Sequence, residues 1–139
     1  MHVVDHRRIS AQLTHADDAS TTRALLDALA DLVRHAPELR PAPRVAVPEP
    51  GELRLEQACL PRDAFFSRTE DVALDAAEGR VAAEMLTPYP PGIPAVLPGE
   101  RLTRPVLRYL RTGIDAGMNV PDAADRRLQT VRVMAGDDA

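Results

Sequence analysis

Three residues with chemical potential cluster around a proline-dense run: Glu84, Tyr89 and Glu100, with Tyr89 inside Pro88-Tyr89-Pro90-Pro91-Gly92-Ile93-Pro94. Proline fixes φ, so Pro88, Pro90, Pro91 and Pro94 are expected to hold the run extended and to point the Tyr89 phenol in one direction. A phenol so placed either donates a hydrogen bond to a bound molecule or packs between surfaces. Gly92 is expected to supply a positive φ or a close backbone approach. Glu84 and Glu100 offer carboxylates, which gain most from a paired ammonium or guanidinium when partly desolvated. Their structural alternative is a salt bridge to Arg80, Arg101 or a residue of another domain.

One residue type is missing. All 17 basic side chains are arginine, and lysine does not occur. A guanidinium stays protonated at any workable pH, so no side chain here can serve as an amine nucleophile or form a Schiff base with a carbonyl compound. The remaining polar candidates are weaker. His15 beside Asp17 has the composition of a base and its orienter but is expected to be a solvated loop histidine. Arg62 next to Asp63 could clamp a phosphate, although a local ion pair is the simpler expectation. Cys59 has no paired histidine and is expected to be a small core residue. Phe65 and Phe66 are expected to form an apolar anchor, docked on the core or on another domain. One cysteine and four scattered histidines leave no disulfide and no metal-ligand spacing.

The elements that must position these residues follow from composition and pattern. A chain of 139 residues suits one small domain. Hydrophobic residues make up 45% but aromatics only 3%, so Ala, Leu and Val must build the core. A net charge of −4 with interleaved signs leaves no basic stripe for phosphates, and no nucleic-acid partner is expected. The apolar stretch 24–33 is broken by Asp27 and Asp31, so no membrane span is expected, and residues 1–8 lack the apolar run of a signal peptide. A cytoplasmic location is the expectation.

Residues 7–13 alternate, with Ile9, Ala11 and Leu13 on one side, as in a half-buried strand. Asp17, Asp18 and Ser20 then offer N-caps to a helix carrying Leu25, Leu29, Leu32 and Val33, which ends near Arg34 and His35 and is stopped by Pro37. Residues 37–51 are expected to be an extended connector outside the core, with an edge strand at 45–47. Pro61 opens a helical turn through Phe66. Val72 and Leu74 suggest a brief strand, Asp75 a cap for the next turn, and Val81, Ala83 and Met85 a further alternation. Residues 93–96 are expected to pair as a short strand. Thr103 is the expected N-cap of a second main helix with Pro105 in its first turn, an apolar face of Val106, Leu107, Leu110 and Ile114, and its end at Gly117. Residues 128–133 form the last expected strand before the acidic pair Asp137 and Asp138. The sum is an α+β domain with two main helices and a small mixed or antiparallel sheet.

Several runs taken together resemble a known family. They are Leu60-Pro61-Arg62-Asp63-Ala64-Phe65-Phe66, Ala77-Glu78-Gly79-Arg80-Val81-Ala82-Ala83-Glu84-Met85, the proline run, and Pro98-Gly99-Glu100. This succession resembles the C-terminal domain of the bacterial ornithine/lysine/arginine decarboxylases, the proline run with its trailing Pro-Gly-Glu being the most specific part. Asp5-His6-Arg7-Arg8-Ile9 with Thr14-His15-Ala16-Asp17-Asp18 is similar to the small-domain strand that precedes it in that family. Glu78 departs from the pattern, since an apolar residue is usual there.

The resemblance implies residues 1–36 as the end of the small αβ region, 37–52 as connector and 53–139 as the C-terminal domain, in one compact unit. It implies a parent enzyme that uses pyridoxal phosphate to remove the α-carboxylate of a basic amino acid, with the cofactor held by a lysine of a large upstream domain. This chain would then be an accessory domain: it packs on the cofactor domain within a homo-oligomer, is not catalytic alone and holds no cofactor itself. Tyr89, Glu84, Glu100 and Gly92 would line the active-site entrance, the carboxylates drawing the cationic substrate. The alternative is an independent protein-binding module derived from the same family. A short likeness of residues 77–84 to molybdopterin-biosynthesis proteins lacks that family's next element and leaves the proline run unexplained.

Overall fold

The computed structural model describes residues 3–4 and 8–136 and divides the chain into two units, Met1–Ala42 and Pro43–Ala139. In the first unit, β1 (Val3–Val4) pairs antiparallel with β2 (Ile9–Ser10), Val4 lying opposite Ile9. The half-buried strand expected over 7–13 is therefore reduced to two residues, and Ile9 and Leu13 are exposed. Two paired residues on each side provide no sheet face to bury; Arg7 of that expected strand lies outside the described residues.

Helix α1 (Ala19–His35) begins where the cap residues predict. Asp18 Oδ1 accepts hydrogen bonds from Ser20 N at 2.8 Å and Thr21 N at 2.9 Å, while Thr21 Oγ1 accepts from Asp18 N at 2.9 Å. This reciprocal box satisfies amides that a helix start otherwise leaves orphaned. A short 3₁₀ turn, Ala36–Glu38, follows and contains Pro37. None of the residues of α1 is buried.

The second unit carries the core. It contains α2 (Pro61–Phe65), β3 (Thr69–Ala73), a 3₁₀ turn at Leu74–Ala76, α3 (Arg104–Asp115) and β4 (Thr130–Met134). Strands β3 and β4 are antiparallel, with Val72 opposite Val131 and Asp71 opposite Arg132. Leu74, Leu86, Val96, Leu102, Val106, Leu110, Val120, Leu128, Val131 and Val133 fill the interior, an aliphatic core of the kind the low aromatic content requires.

The strands expected over 81–85 and 93–96 are reduced to the isolated bridges Val81↔Arg101, Ala82↔Val133 and Leu86↔Val96, and a further bridge joins Tyr89 to Asn119. Around residue 82 the expected alternation fails, because Val81, Ala82, Ala83 and Glu84 are all buried. Ala82 N donates to Glu100 O at 2.9 Å and Ala83 N to Arg132 O at 3.0 Å. A segment held between two others buries both faces, and the small Ala82 and Ala83 side chains permit it. In residues 93–96 the pairing is limited to the Val96 bridge and the bond from Ala95 N to Leu86 O at 2.9 Å, and Pro94 has no donor with which to extend it. Residues 45–47 form no strand; Ala46 N donates instead to Thr112 Oγ1 at 3.0 Å. Pro48, expected outside the core, is buried.

Helix α3 buries Val106, Leu107, Leu110 and Gly113, and Gly117 follows its C-cap at φ +87°. Thr103 occupies the N-cap position, but its side chain makes no capping bond, and its hydroxyl is buried without a hydrogen-bond partner among the described residues. Asp75 likewise does not cap the 3₁₀ turn.

Candidate functional site

The proline run forms a turn on the surface of the second unit. Pro88 is buried and Tyr89 is 48% exposed. Tyr89 N donates to Asn119 O at 2.6 Å and Asn119 N to Tyr89 O at 3.0 Å, which ties the turn to the segment after α3. The run is not uniformly extended as proline content alone suggests. The Tyr89–Pro90 and Pro90–Pro91 peptide bonds are cis, and Gly92 N donates to Pro88 O at 3.0 Å. Proline fixes φ but leaves both isomers of the preceding bond accessible, so the same residues can bend as well as extend. Gly92 has φ +90°, and a Cβ there would lie 3.3 Å from Tyr89 Cδ2. Both readings of Gly92, positive φ and close approach, therefore hold, the approach being to the tyrosine ring.

Glu84 and Glu100 serve as internal ties. Glu84 is only 7% exposed, and its carboxylate accepts from Ala124 N at 2.6 Å and Arg132 N at 2.7 Å. Facing inward, it does not present a charge to an incoming cation within this unit. Glu100 Oε2 accepts from Leu97 N at 2.7 Å and closes the turn around Pro98 and Gly99. Gly99 has φ +87°, and a side chain there would collide with the Cys59 carbonyl. The trailing Pro-Gly-Glu is therefore a turn with its own carboxylate clasp. Arg80 pairs with Glu70, and Arg101 with Glu56 at 3.5 Å.

The weaker candidates separate as well. Asp17 accepts from Thr14 N at 2.7 Å rather than orienting His15. That amide, with the Thr14 hydroxyl, holds the Asp17 carboxyl below the usual carboxylate range. Arg62 and Asp63 form no ion pair with each other, since neighbours in a helix point about 100° apart. Cys59 is half-buried, its Sγ 3.7 Å from Met134 Sδ. Phe65 and Phe66 pack edge to face at 5.1 Å and are 59% and 77% exposed, so within this unit they are not docked on the core.

The sequence reading missed a second locus. Arg104, Arg108 and Arg111 recur at helical spacing along α3 and, with Asp75, Glu78 and Leu107, line a cleft of about 370 Å³. Arg104 pairs with Glu78 at 2.8 Å and Arg111 with Asp75 at 3.5 Å. Hydrogen bonding to Glu78 raises the Arg104 pKa further. The signal was available in the spacing of the three arginines, but nothing in the sequence says which faces of α3 are covered.

The Orn/Lys/Arg decarboxylase C-terminal domain family matches residues 43–127, almost the whole span that folds around the proline turn. The chain belongs to that family. An arginine decarboxylase of Bacillus anthracis is 38% identical over 133 residues, covering 94% of this chain and 26% of the relative. The inducible lysine decarboxylase of Escherichia coli K12 is 48% identical over 56 residues, or 38% of this chain and 8% of that protein. The solved constitutive lysine decarboxylase of Escherichia coli shares the fold, with a TM-score of 0.61 at 22% identity, over 86% of this chain and 24% of that one. The decarboxylase C-terminal domain thus spans about a quarter of its relatives' length, or less. It has no lysine, so its residues do not fit the covalent attachment of pyridoxal phosphate. No helix among the described residues is long and apolar enough to cross a membrane.

Proposed function

We propose that this chain is the accessory C-terminal domain of a cytoplasmic, homo-oligomeric basic-amino-acid decarboxylase, acting on ornithine, lysine or arginine. Pyridoxal phosphate, bound by another domain, supplies the electron sink for loss of the α-carboxylate as CO2. The observation that carries the reading is the family match over 43–127 in a chain without any side-chain amine. The domain's own contribution is positioning. The Tyr89 turn, set by Gly92 and pinned to Asn119, offers a pre-ordered phenol at the entrance to the active site, where it orients substrate and limits water. Glu100 shapes the turn that follows, and Glu84 holds the supporting segments from within. A tightly clasped loop loses little entropy on closing over a ligand.

A chimaera tests this. The matching C-terminal quarter of the Bacillus anthracis arginine decarboxylase is replaced by this chain, and CO2 release from arginine, lysine and ornithine is measured. Retained activity in the chimaera, with no release by the isolated chain supplied with pyridoxal phosphate, is the expected result. Release by the isolated chain, or a folded, cofactor-loaded chimaera without activity, would sink the proposal.

A further inference from the structure

Helix α3 separates two depressions. The first is the cleft of about 370 Å³ lined by Asp75, Glu78, Arg104, Leu107, Arg108 and Arg111. The second, of about 300 Å³, is bounded by Pro48, Glu52, Arg104, Pro105 and Arg108, with Ala46 and Val47. Arg104 and Arg108 belong to both. Of the three arginines, two are neutralised by Glu78 and Asp75. Glu52, the one carboxylate of the second depression, accepts from Glu49 N at 2.8 Å. Arg108 is exposed and has no ion-pair partner among the described residues. Each carboxylate around it is already engaged.

We infer that the Arg108 ridge is a binding site for a small organic anion, its phosphate or carboxylate head on the Arg108 guanidinium and its apolar body against Leu107 or Pro105. The chemistry follows from the walls. A planar guanidinium fork matches two oxygens of either head group. Leu107, Pro48 and Pro105 give each depression an apolar side, and the volumes sit at the lower end of the range for small-molecule sites. Three arginines against two carboxylates leave the first cleft with one net positive charge, in a chain whose overall charge is −4. The inference does not depend on the decarboxylase reading.

The experiment titrates the full chain with phenyl phosphate and, separately, with benzoate at constant ionic strength, following backbone amide shifts of residues 106–111. Saturable shifts are expected with at least one probe, and which one responds identifies the head group. Arg108→Gln, checked for an unchanged fold by circular dichroism, is expected to weaken binding by about tenfold or more. Arg126→Gln, outside both depressions, should leave it intact. No saturable shift with either probe, or equal affinity in Arg108→Gln, would overturn the inference.

Discussion

Tyr89 and Asn119 exchange both main-chain hydrogen bonds across the gap between the proline turn and the segment after α3. The turn is thus held by backbone, and the phenol, which makes no hydrogen bond among the described residues, is left for other work. Tyr89→Phe should therefore change stability by no more than about 0.5 kcal/mol. In the chimaeric decarboxylase the same substitution should lower kcat/KM by about tenfold, as for one lost hydrogen bond worth about 1.4 kcal/mol. Thermal melts and steady-state kinetics on the same preparations separate the two effects. An unchanged kcat/KM would assign Tyr89 to packing alone.

Glu84 is the internal counterpart. Its two oxygens serve amides 40 and 48 residues distant in sequence. Glu84→Gln keeps the shape but turns a donor toward one of those amides, at a cost of about 1–3 kcal/mol. Glu84→Ala strands both amides and should cost more. Denaturant unfolding of the three proteins should give the order wild type, Gln, Ala.

Gly99 and Gly51 make a paired test of backbone approach. Gly99 has φ +87° and no room beside the Cys59 carbonyl, whereas a Cβ at Gly51 meets nothing within 4 Å. Gly99→Ala should destabilise by about 2 kcal/mol or more, combining strain with a steric clash. Gly51→Ala should be neutral or stabilising by up to about 1 kcal/mol. Equal melting temperatures for the two variants would contradict the turn geometry.

Within the second unit, two groups with opposite shifts contribute to the pH limits of stability. Amide hydrogen bonds from Arg127, Thr130 and Gln129 hold the Asp125 carboxyl below its ordinary value. Its contribution is present above the unfolded carboxylate pKa of about 3.9 and is lost as pH falls through the folded value. Burial raises the Tyr109 phenol. The unfolded chain then ionises first above about pH 10, so stability declines as pH rises from there toward the folded value. With no lysine to titrate in that range, Tyr109→Phe should flatten the alkaline limb of denaturant stability against pH. Asp125→Asn should make the acid limb shallower, Asp17 and Asp18 still contributing to it; a wild-type slope in either variant would refute the corresponding assignment.

Local signals were legible where the bonds they report are local. Asp18 and Pro37 bounded α1 because a cap and a helix stop act within about four residues. Val106, Leu107 and Leu110 marked the buried face of α3 for the same reason. Alternation over 81–85 misled, because it presumes one wet face, and that segment is covered on both sides by chain from residues 100 and 132. The proline run announced its rigidity but not its shape, since φ alone does not choose between a bend and an extension.

By itself, then, the sequence determined the α+β class, the two main helices, the aliphatic core and the lack of any side-chain amine, together with the motifs by which the family is recognised. These are matters of composition, short-range periodicity and side-chain chemistry. Only the tertiary structure decided that Glu84 turns inward, that Glu100 clasps its own turn and that Arg108 pairs with no carboxylate among the described residues. Whether a charged group faces water or a backbone amide depends on partners tens of residues away, and folding alone brings those together.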